Sequence, residues 1–184
     1  LGALFLVLCL GCQREQPTAG QLVAVDDAGD TVQLAQPATR VVSLVPATTE
    51  ILFAIGAGPL VVGRTRWDDY PAEAAQVPDV GDGINPNTEA ILARRPDLVV
   101  MYFSGSNAGA AGRLRALGIP TVQLSVDRLS DVSRIARLLG TLTGQDRQGD
   151  SVARVTERDL ARVSVPFDST GPRILIVAWD QPPM

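Results

Sequence analysis

Arg40-Val-Val-Ser-Leu-Val-Pro-Ala-Thr-Thr-Glu-Ile-Leu-Phe-Ala-Ile-Gly-Ala-Gly58 decides the fold. Val41-Val42-Ser43-Leu44 is short, apolar and β-branched, so it reads as a buried strand. Val45-Pro46-Ala47 reads as a loop. Thr48 to Ile55 reads as a helix, closed by Gly56 or Gly58 as its C-terminal cap. A strand that feeds a helix through a short loop is the first half of a βαβ unit.

The same alternation continues downstream. Leu60-Val61-Val62-Gly63 is a strand, Asn87 to Arg94 a helix with Asn87 as N-cap, and Leu98 to Tyr102 a continuous apolar strand of the kind buried on both faces. Ala110 to Leu117 reads as a helix capped by Gly118, and Thr121 to Leu124 as a strand. Ser130 is placed as N-cap of a helix whose Val132, Ile135, Leu138, Leu139 and Leu142 share one face. Residues 146–163 form a further helix with a thin apolar stripe of Val152, Val155, Leu160 and Val163. Upstream, Leu22–Val25 and Thr31–Leu34 flank an Asp/Gly turn and read as a hairpin. The expected fold is α/β: a Rossmann-like parallel sheet covered on both faces, preceded by a β-hairpin.

Such sheets bind ligands in the loops beyond the carboxyl ends of their strands. Those loops are residues 45–47, 64–70, 81–85 and 103–107. Aromatic residues make up only 4% of the chain, so their placement is informative. Trp67, Tyr70 and Phe103 fall on these loops and Tyr102 at the edge of one, which suits a large, flat or greasy ligand. Tyr70, beside Pro71, is expected to fill the core under its loop. Arg64 and Arg66 flank the approach to Trp67 and are candidates to pair with anionic groups on a ligand.

Composition narrows the function. Histidine is absent, which removes a His-coordinated zinc site and a Ser-His-Asp triad. The two cysteines are Cys9 and Cys12, so nothing beyond them does thiol chemistry. The net charge is -4 with no basic stripe, which argues against nucleic acid. Gly56-Ala-Gly58 and Gly81-Asp-Gly83 lack the spacing of a phosphate-binding loop. Asp68, Asp69 and Asp82 are read as solvated loop acids rather than a hard-metal site.

The start of the chain reads as an address. Leu1–Leu10 is apolar, too short to span a bilayer, and is followed by Gly11-Cys12 and a polar run; this fits a truncated signal segment over residues 1–12 with Cys12 as the lipidated residue, then a tether over 13–20. Both ends are read as cut.

The stretch from Arg40 to Gly58 resembles the opening of the class III periplasmic binding proteins of ABC importers, the cobalamin and ferric-siderophore type. Trp67-Asp-Asp-Tyr-Pro71, Asn85 to Ala93, Pro96 to Val100, Leu114 to Pro120 and Leu139 to Gly144 are similar to segments that recur in that family in the same order. The resemblance implies two α/β lobes joined by a rigid helix: an N-terminal lobe over 21–145, the connecting helix over 146–165, and the start of a second lobe over 166–184, with the strand Arg173–Trp179. It implies capture of a metal chelate, a corrinoid or ferric siderophore, with no reaction catalysed and no cofactor of its own. It implies an exported, membrane-anchored monomer that delivers this chelate to a membrane permease. It places Trp67, Phe103 and Trp179 against the ligand and gives Glu50 the role of docking on the permease; Arg66 and Tyr102, read from their places on and beside the loops, complete the ligand-binding candidates. A third aromatic position of the family is Gly83 here. Haem is disfavoured, since haem-binding members offer His or Tyr to iron and only Tyr102 remains. The alternatives are an α/β enzyme and a cell-surface interaction module. The first lacks a nucleophile, base or cofactor cradle, and the second has no need of Trp67 and Phe103 at a cleft edge.

Overall fold

The computed structural model describes residues 21–163. The N-terminal hairpin pairs β1 (Leu22–Val25) with β2 (Thr31–Leu34) in antiparallel register, Leu22 opposite Leu34. Its turn is built around Asp26, whose carboxylate accepts from Ala28 N at 3.0 Å and Asp30 N at 2.9 Å. The same buried carboxylate accepts from Gln123 N at 3.0 Å and from Arg115 Nη2 at 2.8 Å. Asp26 thereby fastens the hairpin to the main sheet; a buried carboxylate is tolerated because it is fully hydrogen-bonded.

The main sheet has four parallel strands: β3 (Val41–Ser43), β4 (Val61–Gly63), β5 (Leu98–Tyr102) and β6 (Thr121–Leu124), in the order β4-β3-β5-β6. Strand side chains alternate between two cores. Val41, Leu98, Val100, Val122 and Leu124 pack against helices on one face. These helices are α1 (Pro46–Ala54) and α4 (Asp131–Thr143), and the hairpin's Val32 and Leu34 join the same core. Val42, Val99 and Met101 face the other way, onto Ile91 of α2 (Thr88–Ala93) and Ala110, Ala111 and Leu114 of α3 (Gly105–Ala116). Burial on both faces is why β5 reads as an unbroken apolar run. Each fully buried aliphatic side chain here contributes about 1.5–3 kcal/mol.

The helix α5 (Asp146–Val163) lies along α4. The close approach needs glycine: a Cβ on Gly149 would sit 2.5 Å from the carbonyl oxygen of Ala136. Ser133 Oγ donates to Ala153 O at 3.2 Å, tying the two helices further.

Several boundaries differ from the sequence reading. α1 begins at Pro46, not Thr48, because proline at the first helical position loses no hydrogen bond. Its stop is as expected: Gly56 takes φ +80 just after the C-cap. α3 starts at Gly105, five positions before the expected Ala110, with Ser104 accepting from Asn107 N as its N-cap. Glycines at 105, 109 and 112 weaken its propensity, and burial of Ala110, Ala111 and Leu114 outweighs them. Ser130 precedes α4, but its side chain makes no capping bond. Asp131, the first helical residue, bonds backwards instead, accepting from Asp127 N at 3.1 Å and Arg128 N at 2.9 Å, and so fastens the turn that leads into the helix. The signal segment, the tether, Cys12, residues 164 and 165 of the connecting segment, and the second-lobe strand with Trp179 lie outside the described residues.

Candidate functional site

In the strand order β4-β3-β5-β6, the chain moves outward from β3 to β4 and then returns to β5 on the other side. The loops after β3 and β5 therefore diverge and leave a crevice at the carboxyl edge of the sheet. A cavity of about 440 Å³ occupies it. Leu44, Val45 and Pro46 line it from the end of β3, Thr65 and Trp67 from beyond β4, and Tyr102, Ser104, Ser106 and Asn107 from the end of β5 and start of α3. Asp82, Gly83 and Ile84 close a further wall.

Each wall has a local cause. The loop carrying Trp67 is held from beneath by Asp68, which is 1% exposed. Its Oδ2 accepts from Thr49 Oγ1 at 2.5 Å, its Oδ1 accepts from Thr65 Oγ1, and Trp67 N in turn donates to Thr65 Oγ1 at 3.2 Å. Asp68 is thus a buried strut between α1 and the Trp67 loop, not the solvated acid that an Asp-Asp pair on a loop suggests. With the strut in place Trp67 stands 66% exposed, an indole presented rather than packed.

The Asp82 wall is an Asx turn. Asp82 Oδ1 accepts from Ile84 N at 2.9 Å and Asn85 N at 2.6 Å. Those backbone bonds, first Asn85 and then Ile84, with a smaller contribution from Arg66, hold the Asp82 carboxyl below the usual carboxylate range. Gly83 is required by space: a Cβ there would lie 2.1 Å from Leu44 O. An aromatic side chain at this position is sterically excluded with the backbone as it stands.

At the β5 end, Tyr102 OH donates to Asp127 Oδ1 at 2.6 Å. That bond and the nearby Asp127 charge push the phenol above its ordinary pKa, so Tyr102 stays protonated at neutral pH. Asn107 is buried at 2% exposure, and its Nδ2 donates to Tyr102 O at 3.0 Å.

Trp67 and Tyr102 therefore meet in one cavity. Phe103 and Arg66 do not line it; Phe103 is 41% exposed beside it, and Arg66 N donates to Gly81 O at 3.1 Å. Arg64 turns inward, its guanidinium donating to the carbonyls of Thr65, Ala75 and Val77. Tyr70, expected in the core, is 69% exposed. Asp82 was read only as a solvated loop acid, and Ile84, Ser104, Ser106 and Asn107 were not singled out by sequence reasoning. The Ser-Gly-Ser-Asn run after a buried strand is the signal that carries the last three, since it is an N-cap motif at a strand's carboxyl end.

Glu50 lies elsewhere. It is the fifth residue of α1, exposed, and beyond the first turn where a helix dipole would favour it. It borders a second, larger groove of about 740 Å³ with Phe53, Tyr70, Glu73 and Val77. Among the described residues no group of three or more Cys, Asp or Glu is placed to hold a metal ion.

The fold has counterparts. The profile described as periplasmic binding protein matches residues 41–182. The chain belongs to this family. An uncharacterized ABC transporter substrate-binding lipoprotein of Bacillus subtilis is 33% identical over 152 residues, covering 80% of this chain and 48% of the relative. The crystal structure of a periplasmic vitamin B12-binding protein of Vibrio cholerae matches with a TM-score of 0.64 at 28% identity, over 68% of this chain and 49% of that one. A periplasmic heme-binding protein from Roseiflexus matches with a TM-score of 0.62 at 28% identity, over 67% and 48%. The chain spans about half the length of the curated relatives it matches.

Proposed function

We propose that this chain supplies the ligand-receiving lobe of an exported, lipid-anchored solute-binding protein that captures a metal chelate, a corrinoid or a ferric siderophore, for an ABC importer. The observation that carries the reading is the crevice at the β3/β5 switch point, walled by an exposed Trp67 and by Tyr102, in a chain of the periplasmic binding protein family. Stacking on the Trp67 face supplies affinity for a flat or greasy ligand, and the rigid sheet edge supplies orientation. Phe103, at the cavity's margin, extends the apolar surface.

Haem fits the cavity poorly. Iron ligation by tyrosine needs a phenolate, and Tyr102 is held as a phenol by its bond to Asp127. None of these 184 residues is a histidine that could replace it. Glu50 docks the loaded protein on an arginine of the permease: the carboxylate is exposed and has no ion-pair partner among the described residues. Such a contact steers and orients encounter more than it adds affinity. Lipidation at Cys12 is supported by the apolar run before it and by the word lipoprotein in the name of the Bacillus relative.

Titration of the tryptophan fluorescence of the full-length protein with cyanocobalamin, ferric siderophores and haemin tests this reading. Saturable, submicromolar quenching by a corrinoid or siderophore is the expected result. Quenching by haemin alone, or by none of these ligands, overturns it.

A further inference from the structure

Among the described residues the parallel sheet ends on one side at β6. Successive residues of a strand turn their backbone groups to opposite sides. Pro120 O and Leu124 O face β5, where they accept from Val99 N at 2.9 Å and Phe103 N at 3.0 Å. Thr121, Gln123 and Ser125 therefore present theirs outward. A row of this kind is a template for a further strand, and when left free it takes one from another molecule.

Here the row is occupied by a turn and by side chains. Gln123 N donates to Asp26 Oδ2 at 3.0 Å, Gln123 O accepts from Asp27 N at 3.0 Å, and Ser125 N donates to Asp27 Oδ2 at 2.6 Å. Arg115 Nη2 donates to Thr121 O at 2.9 Å, and Arg134 Nη2 donates to Ser125 O at 3.2 Å. The two arginines reach the edge from α3 and α4, on opposite faces of the sheet. Each is also paired with the turn: Arg115 with Asp26 at 2.8 Å and with Asp30, Arg134 with Asp27 at 2.9 Å. The hairpin thus meets the edge end-on, while β1 and β2 form a separate two-stranded sheet. Side-on pairing of β1 or β2 with β6 would have extended the sheet and exposed a new edge. The Asp26–Asp27 turn ends it instead.

We propose that the Asp26–Asp27 turn is a strand mimic that blocks β6 from pairing with β6 of a second copy, and so holds this chain monomeric. A second copy is the occupant because an edge strand is complementary to itself: two copies pair antiparallel about a two-fold axis, and each outward donor meets an outward acceptor. The cover is local. Asp26 keeps its own turn through Oδ1, which accepts from Ala28 N and Asp30 N, and grips β6 through Oδ2. Val32 and Leu34 hold the rest of the hairpin in the core. The grip on β6 is therefore separable from the hairpin's own fold, and it is independent of what the crevice binds.

The test is the double variant Asp26→Asn/Asp27→Ala in the full-length protein. The amide at position 26 has one oxygen to serve the turn or β6, not both, and the alanine releases Ser125 N and Arg134. Sedimentation velocity is expected to show the wild type as a monomer at every concentration and the variant as a dimer at the upper end. Hydrogen exchange on peptides covering residues 119–126 locates the contact. In the dilute variant these amides are expected to exchange faster than in the wild type. At the concentration of the dimer they should slow again by about tenfold or more, as amides entering a strand ladder do. A folded variant that stays monomeric overturns the proposal. So does association without concentration-dependent protection at 119–126, and so does a wild type that is itself a dimer. Should the double variant lose its cooperative melting, Asp27→Ala alone decides, because that side chain is 25% exposed and its loss spares the buried Asp26. It is expected to associate more weakly, with the slowing confined to the Ser125 end; a protein that remains monomeric throughout overturns the proposal.

Discussion

Helix α1 separates two hollows of opposite character. The crevice at its N-terminal end, about 440 Å³, is edged by Leu44, Trp67 and Tyr102 and has Asn107 buried in its wall. The groove along its outer side is larger, about 740 Å³, and is bordered by the carboxylates of Glu50 and Glu73. Volume would choose the groove as the ligand site. Position and chemistry choose the crevice, because it sits where the strand order reverses and gathers backbone and side-chain groups from several loops. The groove runs between α1 and residues 70–78 and offers the acids Glu50 and Glu73, which suits a contact surface more than a pocket.

Asp68 is the joint between them, since it binds Thr49 next to Glu50 and Thr65 in the crevice wall. Asp68→Ala leaves two buried hydroxyls without their acceptor and should cost on the order of 2–4 kcal/mol of stability, read by denaturant unfolding. It should also weaken ligand binding. A variant as stable as the wild type would mean that the two hollows are not mechanically joined.

The next effect separates them. Gly83→Ala drives a Cβ into the Leu44 carbonyl and should cost about 1–3 kcal/mol in stability, with ligand affinity falling as the crevice wall shifts. Docking through the groove should be untouched when ligand is saturating, as measured by uptake in reconstituted vesicles. Unchanged melting and affinity would show that the wall yields at no cost.

Trp67→Ala acts on function alone. The indole is largely exposed, so the melting temperature should hold while ligand affinity falls by a factor equivalent to about 1–3 kcal/mol. Equal affinity in titration calorimetry would place the ligand elsewhere.

The smallest effect on binding belongs to Glu50→Ala. Stability and ligand affinity should stay within experimental error, and transport into vesicles bearing the permease should slow. Loss of ligand binding would instead assign Glu50 to the ligand and dissolve the distinction between the hollows.

Some of this was legible from residue pattern. The strands β5 and β6 read with their observed limits because a run such as Leu98–Tyr102, apolar throughout, has few structures other than a strand covered on both faces. Asn87 was recognisable as a cap because its side chain bonds locally, to Ala90 N three positions on. Trp67 was visible as a rare aromatic on a loop at the carboxyl edge. Asp68 was misread beside it, because its partners Thr49 and Thr65 declare themselves only when α1 and the β4 loop are brought together.

The amino-acid sequence by itself determined the alternation of strands and helices, the ends of those helices that carry Asn87 or Gly56, and the absence of histidine from these 184 residues. These depend on local backbone preferences and on composition, which need no tertiary contact. The tertiary structure alone decided that Trp67, Tyr102 and Asn107 share a crevice while Glu50 lies outside it, that an Asp-Asp pair divides into a buried strut and an exposed acid, and that Gly83 stands where a side chain would strike Leu44. Each of these turns on atoms close in space and distant in sequence, which only the folded chain brings within reach of one another.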